Sequence, residues 1–322
     1  MQYHELSLDK VRMQTARQRH NLVRIDNLMD PAAPASPWEA DGFAELVERV
    51  RTARRKGRPI IWSLGAHVIK SGLSRYLIAL MQEGYITHLA GNGACSIHDF
   101  ELAFLGGTSE HVPTAIEDGS FGMWEETGRW MNEAINRGAD QGWGYGESLA
   151  RYVEEHAELF PYRDHCVAYQ AWKLGVPATY HIALGTDIIH QHPLCDFGAI
   201  GRTSQTDFRR FCWSVSQMEE GVFLNFGSAV IGPEVFLKAL SIARNLGHPT
   251  FHITTANFDL KPLGDYRVNL PETEPDYYYR PRKNIVNRPV SRGGKGWHFT
   301  GDHRQTIPAL YEKLRTTGGD VP

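Results

Sequence analysis

Residues 58–102 read RPIIWSLGAHVIKSGLSRYLIALMQEGYITHLAGNGACSIHDFEL, and the way element types alternate along this stretch decides the fold. Ile60, Ile61 and Trp62 form the short apolar run of a buried strand. Ser71 and Gly72 open a helix, and Leu73, Leu77, Leu80 and Met81 fall on one of its faces at the 3.6-residue period. A second strand over residues 86–89 leads into Ala90-Gly91-Asn92-Gly93-Ala94, where small side chains let main-chain N–H groups approach a phosphate or ribose at a helix N-terminus. The unit is β-α-β, although its glycines do not follow the strict G-x-G-x-x-G spacing.

A second unit of the same kind lies downstream. A strand over residues 221–226 meets the turn Gly227-Ser228-Ala229, a helix runs from Pro233 to the Gly247 stop, and a further strand is expected over residues 250–255. Between the units, residues 166–174 read as helix and 178–184 as a strand ending in a polar loop with Thr186, Asp187, His190 and His192. Residues 108–146, rich in Gly, Trp and acidic side chains, read as short helices and loops with no strong strand signal. The predicted class is α/β, a Rossmann-like parallel sheet with helices on both faces. Ligands are then expected beyond the strand C-termini, where loops 63–72, 90–99, 185–193, 227–232 and 254–259 should converge. MDPAAPASPW, residues 29–38, holds three prolines and divides an N-terminal arm, residues 1–38, from a single domain over 39–322; the arm is expected to pack on a neighbouring subunit.

Composition narrows the function. The chain has 322 residues, 42% of them apolar, enough for a large core, and a net charge of −3. Nucleic acid is excluded as the main partner, because phosphate binding needs a concentrated basic surface. Arg51, Arg54, Arg55, Lys56 and Arg58 read instead as a solvated helix end. No stretch approaches the ~20 apolar residues of a membrane span, and MQYHELSLDKVRMQ lacks the apolar core of a signal peptide. A soluble, cytoplasmic protein is expected. Cys95, Cys166, Cys195 and Cys212 have neither C-x-x-C spacing nor the density of a disulfide scaffold, and read as free thiols.

In order and spacing these segments resemble the deoxyhypusine synthase family. Ser71-Gly72, the following helix and ITHLAGNGACSIHDFE are similar to that family's SG-helix-strand-TTAGG-acidic segment; VFLNFGSAVIGPEVFLKALSIARNLGHPTFHITTANFD is similar to its strand-GGG-helix-strand-NTA-x-x-x-D segment; and HFTGDHRQTIPAL resembles its C-terminal ending. The resemblance implies a homotetramer with active sites shared between subunits. It also implies an NAD-dependent transferase that oxidises a carbon beside an amine of spermidine or a related polyamine. An active-site lysine captures the aminobutyl group as an imine, and the group passes to an amine acceptor, either a small molecule or a lysine of a protein. Asp276 to Lys283 has the family's spacing, which makes Lys283 the implied nucleophile, with Tyr277, Tyr278 and Tyr279 as walls of a polyamine channel and Lys295 as the rival lysine. Carried over by position, the NAD-binding residues are Ser71, Gly72, Asn92, Gly93, Asp187, Gly227, Ser228, Thr255, Ala256 and Asp302. Asp99, Glu101 and Asp259 are the binders of substrate ammonium groups, since spaced carboxylates suit a linear polycation.

The chain departs from the family in three places. Gly232-Pro233-Glu234 stands where the family carries a histidine that assists imine chemistry, Ile97-His98-Asp99 stands near its polyamine glutamate, and its tryptophan before the lysine is absent. Two other classes compete. A scaffold that binds NAD or a related nucleotide with a different or lost activity needs no lysine. A metal-dependent enzyme would draw on His181, His190, His192, His298 and His303 with Asp187, Asp196 and Asp302, although their spacing matches no established motif. A serine nucleophile lacks its G-x-S-x-G turn.

Overall fold

The computed structural model describes residues 3–268 and 270–316. Six parallel strands form its central sheet: β1 (Ile60–Leu64), β2 (His88–Asn92), β3 (Ala178–His181), β4 (Val222–Phe226), β5 (Thr254–Asp259) and β6 (Lys295–Thr300). They lie side by side in the order β3-β2-β1-β4-β5-β6. The chain therefore winds outward in one direction from β1, returns, and winds outward in the other from β4, which is the doubly wound Rossmann order.

Side-chain alternation along the strands builds two separate cores. Val222, Leu224 and Phe226 point to one face and Phe223 to the other. On the first face Trp62, Phe226, Phe258 and Phe299 stack in a row across β1, β4, β5 and β6, with ring centroids 4.5, 4.4 and 5.0 Å apart. This row is covered by α1 (Phe43–Arg55), α3 (Ser74–Gln82) and α11 (His303–Thr316), with Phe43 edge-on to Phe299. On the second face Ile61 and Phe223 pack beneath α9 (Phe197–Ser216) and α10 (Ile231–Asn245), and Phe223 stacks on Phe236 at 3.8 Å. Between α1 and α3, α2 (His67–Lys70) is a single turn directly after β1. Between β2 and β3 the chain forms α4 (Gly93–Leu105), α5 (Val112–Asp118), α6 (Glu125–Gln141), α7 (Tyr145–Glu155) and α8 (Val167–Lys173).

Three local expectations change. Residues 108–146 are not mainly short helices: α6 runs for 17 residues because Met131, Asn132, Ala134 and Ile135 give it a buried face. β2 begins two residues later than expected and carries Ala90–Asn92 as strand. β5 starts at Thr254, so the segment expected to be its C-terminal loop, 254–259, is the strand itself. The arm packs on its own chain. Val23–Arg24 pairs antiparallel with Gly107–Thr108, and Met29 N donates to Gly72 O at 2.8 Å.

Candidate active site at the reversal of the sheet

The order in which strands are added reverses between β1 and β4, and the loops that leave these two parallel strands touch. Gly65 N donates to Phe226 O, and Gly227 N donates to Phe258 O. A Cβ on Gly65 would run into the Gly227 carbonyl, and Gly227 itself has φ +69°. Glycine is required at both places, by close approach at one and by left-handed backbone at the other. Past Gly227, Ser228 Oγ accepts from Gly232 N at 2.9 Å and caps the start of α10. Behind this turn a buried polar chain fastens the strand ends: Asn225 Nδ2 donates to Ser228 O and to Asn257 Oδ1, Asn257 bonds His298 Nδ1 at 3.0 Å, and His298 Nε2 donates to Lys261 O.

Histidine and acid line the rim. His303, the first residue of α11, is buried, with Nδ1 unpartnered and Nε2 placed 2.6 Å from where a Gly227 Cβ would stand. Burial, reinforced by nearby His67, holds its imidazole below the usual histidine range and therefore neutral at pH 7. Asp259, at the end of β5, accepts from Tyr279 Oη at 2.6 Å, and burial together with that carboxylate pushes the phenol pKa up. Asp302 faces Arg304, whose guanidinium holds its carboxyl low. Gly227, Ser228, Asp259 and Asp302 are thus brought to one rim, joined by His303, which the sequence suggested only as a metal ligand.

The other implied cofactor residues are placed differently. Gly72 has φ +80° and lies against Asn27 O, so it seats the arm. Ser71 closes the turn between α2 and α3, its N–H donating to His67 O. Thr255 donates to Ile285 O from the first half of β5, and Ala256 is fully buried in the middle of that strand, so neither reaches the C-terminal rim. This is a correction forced by where β5 begins. Asn92 accepts from Cys95 N at 3.0 Å and caps α4.

Two of the three proposed ammonium binders are committed to the fold. Asp99 is fully buried and accepts from Val167 N, Ala168 N and Cys166 Sγ at 2.7, 2.9 and 3.2 Å, capping α8; burial nevertheless raises its pKa to about 6. Glu101 holds Arg19 of the arm in a two-pronged ion pair at 2.8 and 2.7 Å and also accepts from Thr108 and Thr127. Burial, the largest single influence, would raise its pKa, but Arg19, with Thr108 and His98, outweighs it in sum and the net shift is downward. Asp187 differs from both. Its carboxyl lies over Gly93 at the start of α4, its Oδ2 has no partner, and burial raises its pKa to about 6. It lines a cavity of about 240 Å³ beside α4, with Arg19, Lys70, His98, Glu101 and Glu110 among its neighbours.

The two lysines separate clearly. Lys295 opens β6 at the opposite end of the sheet and pairs with Glu45 of α1, so it is remote from the rim. Lys283 is half-buried in a π-turn, one turn beyond Tyr279, with its ammonium 4.2 and 5.1 Å from the Tyr277 and Tyr278 ring centres. The histidines of the metal reading are dispersed. His190 Nδ1 accepts from Gly185 N and Asp187 N, His192 faces Glu125, and His298 belongs to the asparagine chain. Among the described residues no three potential ligands gather to hold a metal ion. Among them, too, no helix is long and apolar enough to cross a membrane.

No family model and no curated protein matches the sequence. Solved structures share the fold. A conserved LOR/SDH protein from Methanococcus maripaludis S2 superposes over 89% of this chain and 73% of its own, at 15% identity and TM-score 0.50. AgrE, crystallised with ornithine and NAD+, superposes over 87% of this chain at 14% identity and TM-score 0.50. The chain spans 34% of AgrE and 33% of the arginine dihydrolase ArgZ from Cyanobacteria, about a third of each. A structure from Entamoeba histolytica named as a putative deoxyhypusine synthase superposes over 84% of the chain at 10% identity and TM-score 0.48.

Proposed function

We propose that the chain binds a nicotinamide dinucleotide across the crevice between β1 and β4 and acts as an NAD-dependent enzyme on an amine-bearing substrate. The observation that carries this reading is the backbone contact of Gly65 with Gly227 at the point where strand order reverses. In doubly wound sheets that point is where a dinucleotide finds two loops with their N–H groups bare of side chains. AgrE, of the same fold, was crystallised with both NAD+ and the amine ornithine. When bound, NAD would supply the hydride acceptor. The residues offered here are Ser228 for the backbone cradle, Gly227 for close approach, its own N–H being held by Phe258 O, and neutral His303 as a hydrogen-bonding or proton-accepting imidazole at the rim.

The finer reading, aminoalkyl transfer through an imine, rests on the resemblance to deoxyhypusine synthases. In it Lys283 is the nucleophile: Tyr279, one turn earlier, reaches Asp259 at the rim, whereas Lys295 is at the wrong end of the sheet. The test is a calorimetric titration with NAD+ and, in parallel, ATP, on the wild type and Gly227→Ala. The reading expects NAD+ to bind the wild type, at least tenfold weaker binding to the variant, and NADH absorbance only when an amine is added. Equal binding of NAD+ to both proteins, or none to the wild type, sinks it. Borohydride trapping with spermidine then reports whether Lys283 carries an adduct.

A further inference from the structure

The cavity beside α4 is built differently from the crevice. Its walls come from α4, the end of α2, the 109–112 segment and the loop after β3. At about 240 Å³ it is smaller than the sites that enclose drug-sized ligands, so it has room only for a small molecule. Two of its carboxylates have an oxygen buried without any hydrogen-bond partner, Asp187 Oδ2 and Glu110 Oε2. Leaving such groups unmade is costly, which favours a ligand that donates to them. Glu101 contributes no net charge because Arg19 already neutralises it. Lys70 also lines the cavity, and among the described residues no carboxylate lies within ion-pair distance of its ammonium. Ile97, Phe121 and Ile188 supply an apolar wall.

Carboxylates in need of donors, one cation in need of an anion and an apolar wall describe a zwitterion with a hydrocarbon side chain. We propose that this cavity binds a small α-amino acid, its ammonium group received by Asp187 and Glu110, its carboxylate by Lys70 and its side chain by the apolar wall. A plain polyamine would leave Lys70 unpaired and repelled. Glu110 Oε1 already accepts from Gly122 N and Trp124 Nε1, and a plain carboxylic acid would still leave Glu110 Oε2 and Asp187 Oδ2 without a donor. The inference deepens the preceding reading by naming a substrate class. It rests on that reading for catalysis but not for binding.

The experiment uses three five-carbon probes with different heads: L-norvaline, pentylamine and pentanoate. Each is titrated calorimetrically into the full chain, with NAD+ titrated separately into the same preparations. L-norvaline is expected to bind about tenfold or more tightly than either half-molecule, the worth of one charge-assisted hydrogen bond. Lys70→Met should erase its advantage over pentylamine, and Glu110→Gln its advantage over pentanoate. Thermal melts of both variants verify that they fold. Equal affinity for norvaline and pentylamine in the wild type, or unchanged preferences in both variants, overturns the proposal. Norvaline binding without NAD+ binding upholds it and sinks the dinucleotide reading; NAD+ binding without norvaline binding does the reverse.

Discussion

Asp99 and Glu101 lie two residues apart on α4, fully buried, and Asp187 lies half-buried in the loop that covers the start of the same helix, yet the three acids do opposite things. Asp99 meets two backbone N–H groups and a thiol of α8, and Glu101 meets a guanidinium and two hydroxyls. Both are fasteners between segments distant in sequence. Asp187 keeps an oxygen without a partner in a cavity. An acid with every bond made is explained by the fold, whereas an oxygen left short of a donor beside a cavity calls for a further partner, because the fold alone gives no return for its desolvation.

The strongest way to break this contrast is to remove one half of the arm's ion pair. Glu101→Ala leaves Arg19 charged in a site where its side chain is only 3% exposed. The expected loss is about 3–5 kcal/mol, read as a lower urea midpoint at unchanged slope. Because the folded pKa of Glu101 is depressed, its contribution is present above the ordinary carboxylate range and lost as pH falls through the depressed value. A loss below about 1 kcal/mol, the range of exposed pairs, would mean that the arm is not fastened here.

Next in size is Asp99→Asn. An amide presents one acceptor and two donors where the helix start of α8 offers only donors, so one N–H of Val167 or Ala168 loses its partner. The expected cost is about 1–3 kcal/mol, with amide exchange accelerating first in α8. Unchanged protection of α8 would show that the cap is dispensable.

The alternation of strands and helices was legible in the sequence because most strands announce themselves locally, in Ile60-Ile61-Trp62 or in Phe223-Leu224; the order of the strands and the sixth strand, Lys295–Thr300, were not. Gly227 was legible for the same reason, since it marks the turn after such a run, whereas Gly65 shows its role only through its contact with the Gly227 carbonyl. The fate of the acids was not. Nothing near Asp99 in the chain points to Val167, and nothing near Glu101 points to Arg19, 82 residues away; only folding brings these donors close. β5 misled because Thr250, Phe251 and Ile253 look as strand-like as Thr254–Asp259, and pairing with β4 and β6, not propensity, selects the second run. His303 was visible as a histidine, but its relation to Gly227 depends on α11 returning over the first face. Glu110 and Lys70 carried no signal at all, since an exposed-looking charge in a loop or at the end of a short helix gives no hint of a shared cavity.

The smallest effect has the opposite sign and separates the two kinds of acid most sharply. Asp187→Asn removes a charge that burial disfavours and whose Oδ2 has no donor in the folded state, so it should stabilise the ligand-free protein. Burial raises the pKa of Asp187 from 3.8 to about 6, so between these values the folded state holds the proton that the unfolded state has released. The wild type therefore loses stability as pH rises through that interval, and above it carries the full cost of the buried carboxylate. The asparagine variant should be more stable than wild type by about 1 kcal/mol at pH 8, allowing for partial exposure, with the gain shrinking as pH falls through 6 and vanishing below about 4. Asp99 has a pKa raised in the same direction, yet its substitution is expected to cost stability, because one amide oxygen cannot replace the two carboxylate oxygens that accept from Val167 N and Ala168 N. If Asp187→Asn destabilises the protein as Asp99→Asn does, the loop acid is one more fastener, and the cavity has no claim on a ligand through it.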